Sequence, residues 1–151
     1  MTAVNVNYGT ATSYTVASSL SAGNYDLTGT VYNSTTNKPA DTLFEYTATV
    51  AANPTGNKQI VLFIQSSLDG TNFNALPAST TDTSHDSSMR ILGVVPANGG
   101  TNSEVDRFQF SVAAVFGNLP PPYWRVIVKN DCGVALSSCS ARTLDINFTV
   151  V

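Results

Sequence analysis

Charge is the scarcest commodity in this chain. Only 11% of its 151 residues are Asp, Glu, Lys or Arg, under half of the roughly 25% usual in a soluble domain. The seven cations are scattered singly, and since a phosphate backbone is held by clustered Lys and Arg, nucleic acid is excluded as an expected partner. Long apolar runs are missing too, so no stretch approaches the roughly 18 residues that suggest a membrane-spanning helix. The opening MTAVNVNYGTATSY has neither the basic region nor the apolar core of a secretion signal, which leads to the expectation of synthesis in the cytoplasm. The triplets Asn33-Ser34-Thr35 and Asn147-Phe148-Thr149 are accordingly read as chance matches to the glycosylation pattern in an Asn- and Thr-rich chain.

Chemistry-bearing residues are equally sparse. The one histidine, His85, stands in TTDTSHDSS beside Ser84, Asp86 and Ser87. Neighbours in sequence on a loop cannot take up triad geometry, and there is no G-x-S-x-G elbow. Gly99-Gly100 is too little to cradle a phosphate without a strand before it and a helix after it. Carboxylate pairs for glycoside hydrolysis would have to come from Glu45, Glu104 or the aspartates, none of which sequence places across a cleft. No enzyme, cofactor or metal is expected. Cys132 and Cys139 bracket CGVALSSC; six intervening residues would permit a disulfide across a hairpin base, whereas a cytoplasmic origin favours free thiols.

Helix periodicity is also lacking, and in its place period two runs along the chain. In RFQFSVAAVF the even positions Phe108, Phe110, Val112, Ala114 and Phe116 are apolar; in YWRVIVKN Trp124, Val126 and Val128 share a face; in TLDINFTVV Leu144, Ile146, Phe148 and Val150 alternate with polar residues. Such alternation places one face of a strand on a core. VNVNY, SYTVA, YDLTGTVY, LFEYTATV and MRILGVV behave similarly, while QIVLFIQ is apolar on both sides and predicts a central strand covered on both faces. The expectation is one all-β domain over 1–151: an antiparallel β-sandwich or jelly roll of about eight or nine strands. Phe108, Phe110, Val112, Trp124, Val126, Val128, Ile146 and Phe148 are expected to point inward.

QIVLFIQ breaks into SSLDGTNFNAL. Asp69-Gly70 predicts a tight turn because Gly, and Asp more than most, accept positive φ; the strand would return through Phe73 and the residues up to 76. A calcium loop would require a D-x-[DN]-x-[DN]-G pattern with a Glu at its twelfth position, which is absent. Opposite the core face of YWRVIVKN, the stripe Tyr123, Arg125, Ile127 and Lys129 mixes aromatic, cationic and aliphatic character and is the expected contact face for a partner. Residues 1–23 contain no charged side chain. They suit either an extended arm that adds to a sheet edge, its own or a neighbour's, or simply the first strands of the sandwich.

Two stretches, IQSSLDGTNFNAL and PPYWRVIVKNDCGVAL, together resemble small virion proteins of tailed phages, the β-sandwich cement or decoration proteins. The matching positions are Ser67, Asp69, Gly70 and Phe73, then Tyr123, Arg125, Val126, Val128, Asn130 and Gly133. The likeness covers 60–76 and 106–150, and the same turn-and-strand pattern also occurs in carbohydrate-binding and adhesin sandwiches. What the resemblance implies is a non-enzymatic protein on the virion's capsid surface that clamps neighbouring major capsid subunits and associates with copies of itself as a homotrimer. The alternative is a carbohydrate- or receptor-binding module of a phage tail.

Overall fold

QIVLFIQ is apolar on both sides because it is buried on both sides. In the computed structural model, which describes residues 3–73, 77, 79–84, 86–97 and 105–150, this run forms strand β6 (Gln59–Ser67), flanked by β7 (Arg90–Pro96) and β9 (Tyr123–Asp131). The remaining elements are β1 (Val4–Tyr8), β2 (Thr12–Tyr14), β3 (Tyr25–Asp26), β4 (Tyr32–Asn33), α1 (Ser34–Asn37), β5 (Asp41–Val50), β8 (Val105–Ser111), α2 (Val112–Phe116) and β10 (Leu136–Val150).

All pairings are antiparallel, and they make two sheets. The first runs β1-β10-β5-β8 with β2 also on β10, and the second runs β3-β9-β6-β7 with β4 also on β9. β1 and β2 meet β10 in consecutive registers, Val4–Tyr8 on 150–146 and Thr12–Tyr14 on 143–141, so they are one interrupted strand; β3 and β4 are likewise two pieces laid on β9. With those pairs merged, eight strand positions wind as a jelly roll.

The core lies between the sheets. β5 alternates without a fault, Phe44, Tyr46, Ala48 and Val50 buried and their neighbours not. They meet Ile60, Leu62 and Ile64 of β6 and Trp124, Val126 and Val128 of β9 in one cluster, each large side chain contributing about 1.5–3 kcal/mol by leaving water. Trp124 stacks between Tyr14 (5.8 Å between centroids) and Tyr32 (4.6 Å) and donates its Nε1–H to Ser34 Oγ at 3.2 Å. The Tyr14 hydroxyl accepts from the Val126 amide at 2.9 Å.

The alternation in RFQFSVAAVF is interrupted. β8 ends at Ser111, and 112–116 form a single helical turn. Ser111 Oγ accepts from the Ala114 amide, Asp41 Oδ1 from the Ala113 amide, and Gly117, at φ 95°, closes the other end in the left-handed region. An N-cap serine ahead of an alanine pair and a C-terminal glycine are helix signals, and locally they outweigh the period-two pattern. Val112 is buried as expected and Phe110 packs on the core, but Phe108, paired with Tyr46 at the sheet edge, is 37% exposed and stands outside the core cluster because no further strand pairs beyond β8 to cover it among the described residues.

The second half of CGVALSSC is strand, because β10 begins at Leu136. Cys132 and Cys139 are buried free thiols with no bond between them. Cys132 Sγ donates to the Gln59 carbonyl at 3.3 Å, and burial pushes its pKa up to about 11 and raises that of Cys139.

Candidate interaction surface

The stripe expected to meet a partner is covered by the chain itself. Ile127 is fully buried with Val61, Phe63, Tyr25 and Met89 in a second, smaller core on the outer face of the β9 sheet. Arg125 donates to Gln65 Oε1 at 2.9 Å, and its guanidinium lies 4.2 Å from the centroid of the Phe73 ring. Lys129 meets Asp86 at 2.5 Å, and Tyr25 also donates its hydroxyl to Asp86. Burial alone would lower the Lys129 pKa, but the bonds to Asp86 and Tyr25 more than offset that and raise it. The sequence showed the polarity of this face without its cover, which comes from residues distant in the chain such as Tyr25, Phe73, Asp86 and Met89.

The Asp69-Gly70 turn is present, built differently from a two-residue hairpin. Gly70 has φ 76°, whereas Asp69 is not in the left-handed region. Asp69 Oδ1 accepts from the amides of Thr71 and Asn72, each at 2.8 Å, and Ser67 Oγ accepts from the amides of Asp69 and Gly70. These donors hold the Asp69 carboxyl well below the ordinary carboxylate range. Asp69 therefore organises the turn as an acceptor. Of the expected return strand, Phe73 is not in a strand and 74–76 lie outside the described residues, as do His85, Glu104 and Gly99-Gly100.

The exposed surface of interest is on the opposite sheet, and parity along β10 explains it. Cys139, Ala141 and Thr143 face the core, so the same phase carries Asp145 inward and Leu144, Ile146, Phe148 and Val150 outward. Asp145 is accommodated inside because it accepts from Tyr32 Oη at 2.5 Å, Thr42 Oγ1 at 2.9 Å and Asn37 Nδ2 at 3.2 Å. Ile146 and Phe148, expected in the core, thus belong to the outside, and Phe148 is 61% exposed. Following the phase set by Cys139 and Ala141 through the strand would have revealed this; the apolar residues taken alone suggested the reverse.

On this outer face apolar residues pair with apolar residues: Val4 with Val150, Val6 with Phe148, Tyr8 with Ile146, and Leu43 with Leu144. The β5 pairing stops at Asp41 opposite Ile146, so residues 147–150 and β1 form a two-stranded ribbon extending beyond the sheet. Every residue of β1 is exposed. The ribbon's other face is polar, with Asn5 against Thr149 and Asn7 against Asn147. The β1 arm anticipated in 1–23 is therefore tied to its own sheet, while Tyr14 and Leu20 further along are core residues.

Beside the apolar stripe lies a shallow hollow bordered by Tyr8, Leu43, Leu144, Glu45, Gln109 and Arg142. Glu45 accepts from Gln109 Nε2 at 2.9 Å and lies 3.6 Å from Arg142 Nε and 3.9 Å from Arg107 Nε. Among the described residues no three His, Cys, Asp or Glu side chains converge as a metal set.

No family model matches this chain, and no curated protein does. Among solved structures it is similar to the CBM22-1 and GH10 modules of the Clostridium thermocellum xylanase 10B complexed with xylohexaose (12% identity, TM-score 0.36), covering 83% of this chain and 17% of that one. It is also similar to a carbohydrate-binding module of Cellvibrio mixtus lichenase 5A in complex with cellotriose (15%, TM-score 0.30, covering 95% and 86%). A third is infectious bursal disease virus, Gx strain (9%, TM-score 0.35, covering 97% and 32%). At such scores these likenesses carry nothing about what this chain binds.

Proposed function

We propose that this protein is a non-enzymatic structural component of a phage virion, which docks on the capsid surface and stabilises contacts between major capsid subunits. The observation that supports this reading best is the outer face of the β1–β10 ribbon, where Val4, Val6, Tyr8, Phe148 and Val150 are all more than half exposed. A contiguous apolar face of this kind, on a ribbon whose other face is Asn and Thr, marks a protein contact more often than a free surface. The resemblance of the Asp69 turn and of the YWRVIVKN strand to decoration proteins is the reason for naming a capsid. Binding only the assembled lattice would stabilise it by mass action, by about 2.7 kcal/mol per site at a hundredfold excess over the dissociation constant. The test is co-sedimentation of the purified protein with heads that lack it: Phe148→Asp should abolish binding while the fold persists, and failure of the unaltered protein to bind would remove the reading.

A second reading has its own observation. Tyr8, 67% exposed, stands beside Glu45, Gln109 and Arg142, and a free aromatic face next to charged and amide side chains is the chemistry that holds a sugar ring. Glycan-array binding lost on Tyr8→Ala would favour it.

A further inference from the structure

The edge of β1 carries an inference that does not depend on the capsid reading. Among the described residues β1 is the terminal strand of its sheet and pairs only with β10, so one side of its backbone faces no other described strand and offers its donors and acceptors. Natural sheets blunt such edges with charge, proline or shortness. The other edges here follow that rule: β8 includes Asp106 and Arg107, β7 begins at Arg90 and ends at Pro96, and β3 and β4 are two residues each. β1 is VNVNY, five residues with neither charge nor proline, and β2, which continues the same edge, is uncharged as well.

We propose that β1 pairs edge to edge with the β1 of a second copy, antiparallel and centred on Val6, joining two sheets across a twofold axis. The sequence of the strand is complementary to itself in this register. Val6 opposes Val6, Val4 opposes Tyr8, and Asn5 opposes Asn7, so apolar side chains share one face and asparagines the other. Neutrality removes the like-charge repulsion that a charged edge would suffer on meeting its copy. A closed isologous pair follows because the same patch serves both copies. The threefold association implied by the family resemblance would instead need β1 to pair with a different edge, and the charged β8 and proline-ended β7 are poor acceptors. The joined sheet doubles the apolar stripe, with Phe148 and Val150 flanking the axis on both sides.

Light scattering on the full chain over a range of concentrations should give a dimer. Asn5→Lys with Asn7→Lys places lysine opposite lysine twice and should raise the dimer dissociation constant by about tenfold; Asn5→Glu with Asn7→Glu should do the same. Mixing the two variants should restore a heterodimer, which an unfolded variant could not form. Under mild oxidation Val6→Cys should cross-link and Val4→Cys should not, because residue 4 opposes residue 8. A monomer at every concentration, a trimer, or a dimer indifferent to these charges would overturn the proposal. Loss of capsid binding alone would leave it standing.

Discussion

Trp124 shows how much can hang on one side chain. Its ring is enclosed by Tyr14, Tyr32 and Phe44 and its indole N–H is satisfied by Ser34, so Trp124→Ala opens a cavity and leaves the serine hydroxyl without its donor. The expected loss is about 3–5 kcal/mol in a denaturant titration. Asp69 acts through acceptor lone pairs rather than through burial. Its folded pKa is depressed below the ordinary value of 3.8, so its contribution is complete above that pH and is lost as pH falls below it toward the folded value. Asp69→Asn should therefore flatten the acid limb of the stability profile, measured by unfolding midpoints from neutral pH into strong acid. Gly70→Val should be worse, since the residue combines positive φ with a Tyr123 ring carbon 3.0 Å from where a Cβ would stand. Cys132 and Cys139 are buried, and with their thiolates disfavoured both should resist a thiol reagent in the native protein and titrate fully in denaturant.

At the scale of elements, the N-terminal segment divides at Gly9. Residues 4–8 are exposed and touch the fold through the β10 ladder, whereas Tyr14 and Leu20 are core. Removing residues 1–9 should leave a folded protein by circular dichroism and abolish self-association. Removing 1–22 also takes away β2, Tyr14 and Leu20, and should cost more than about 5 kcal/mol, a large part of the total for a domain of this size. Strand existence was legible in the sequence because period two survives in nearly every segment; α2 was not, because one helical turn needs only a cap, two alanines and a glycine. The face of β10 was misjudged for a different reason. Its inner half at that end is polar, and Asp145 is tolerated there only because Tyr32, Thr42 and Asn37 arrive from three other elements.

For the whole molecule, the two sheets have unlike exteriors. The β9 sheet is covered by described residues of the connection between β6 and β7: Phe73 and Met89 pack on it, Asp86 bonds Lys129 and Tyr25, and the Thr80 carbonyl accepts from the Tyr25 amide at 2.7 Å. Toward the ribbon the β10 sheet is apolar and, among the described residues, bare. Any partner is therefore expected on the β10 side, so charge introduced at Phe148 should alter binding while shifting stability by under about 0.5 kcal/mol, the range of exposed positions. The same charge at Ile127 should unfold the protein, since it would be buried without a counterion.

The sequence by itself determined the all-β class, the central place of β6, the inward face of β5 and β9, and the turn at Asp69-Gly70. Each follows from local pattern, which side-chain alternation and backbone sterics impose whatever the rest of the chain does. Only the tertiary structure decided which sheet face is free. Whether Ile127 and Phe148 are buried depends on which distant segment lies over them, and that segment is chosen by the winding of the jelly roll, about which period two says nothing.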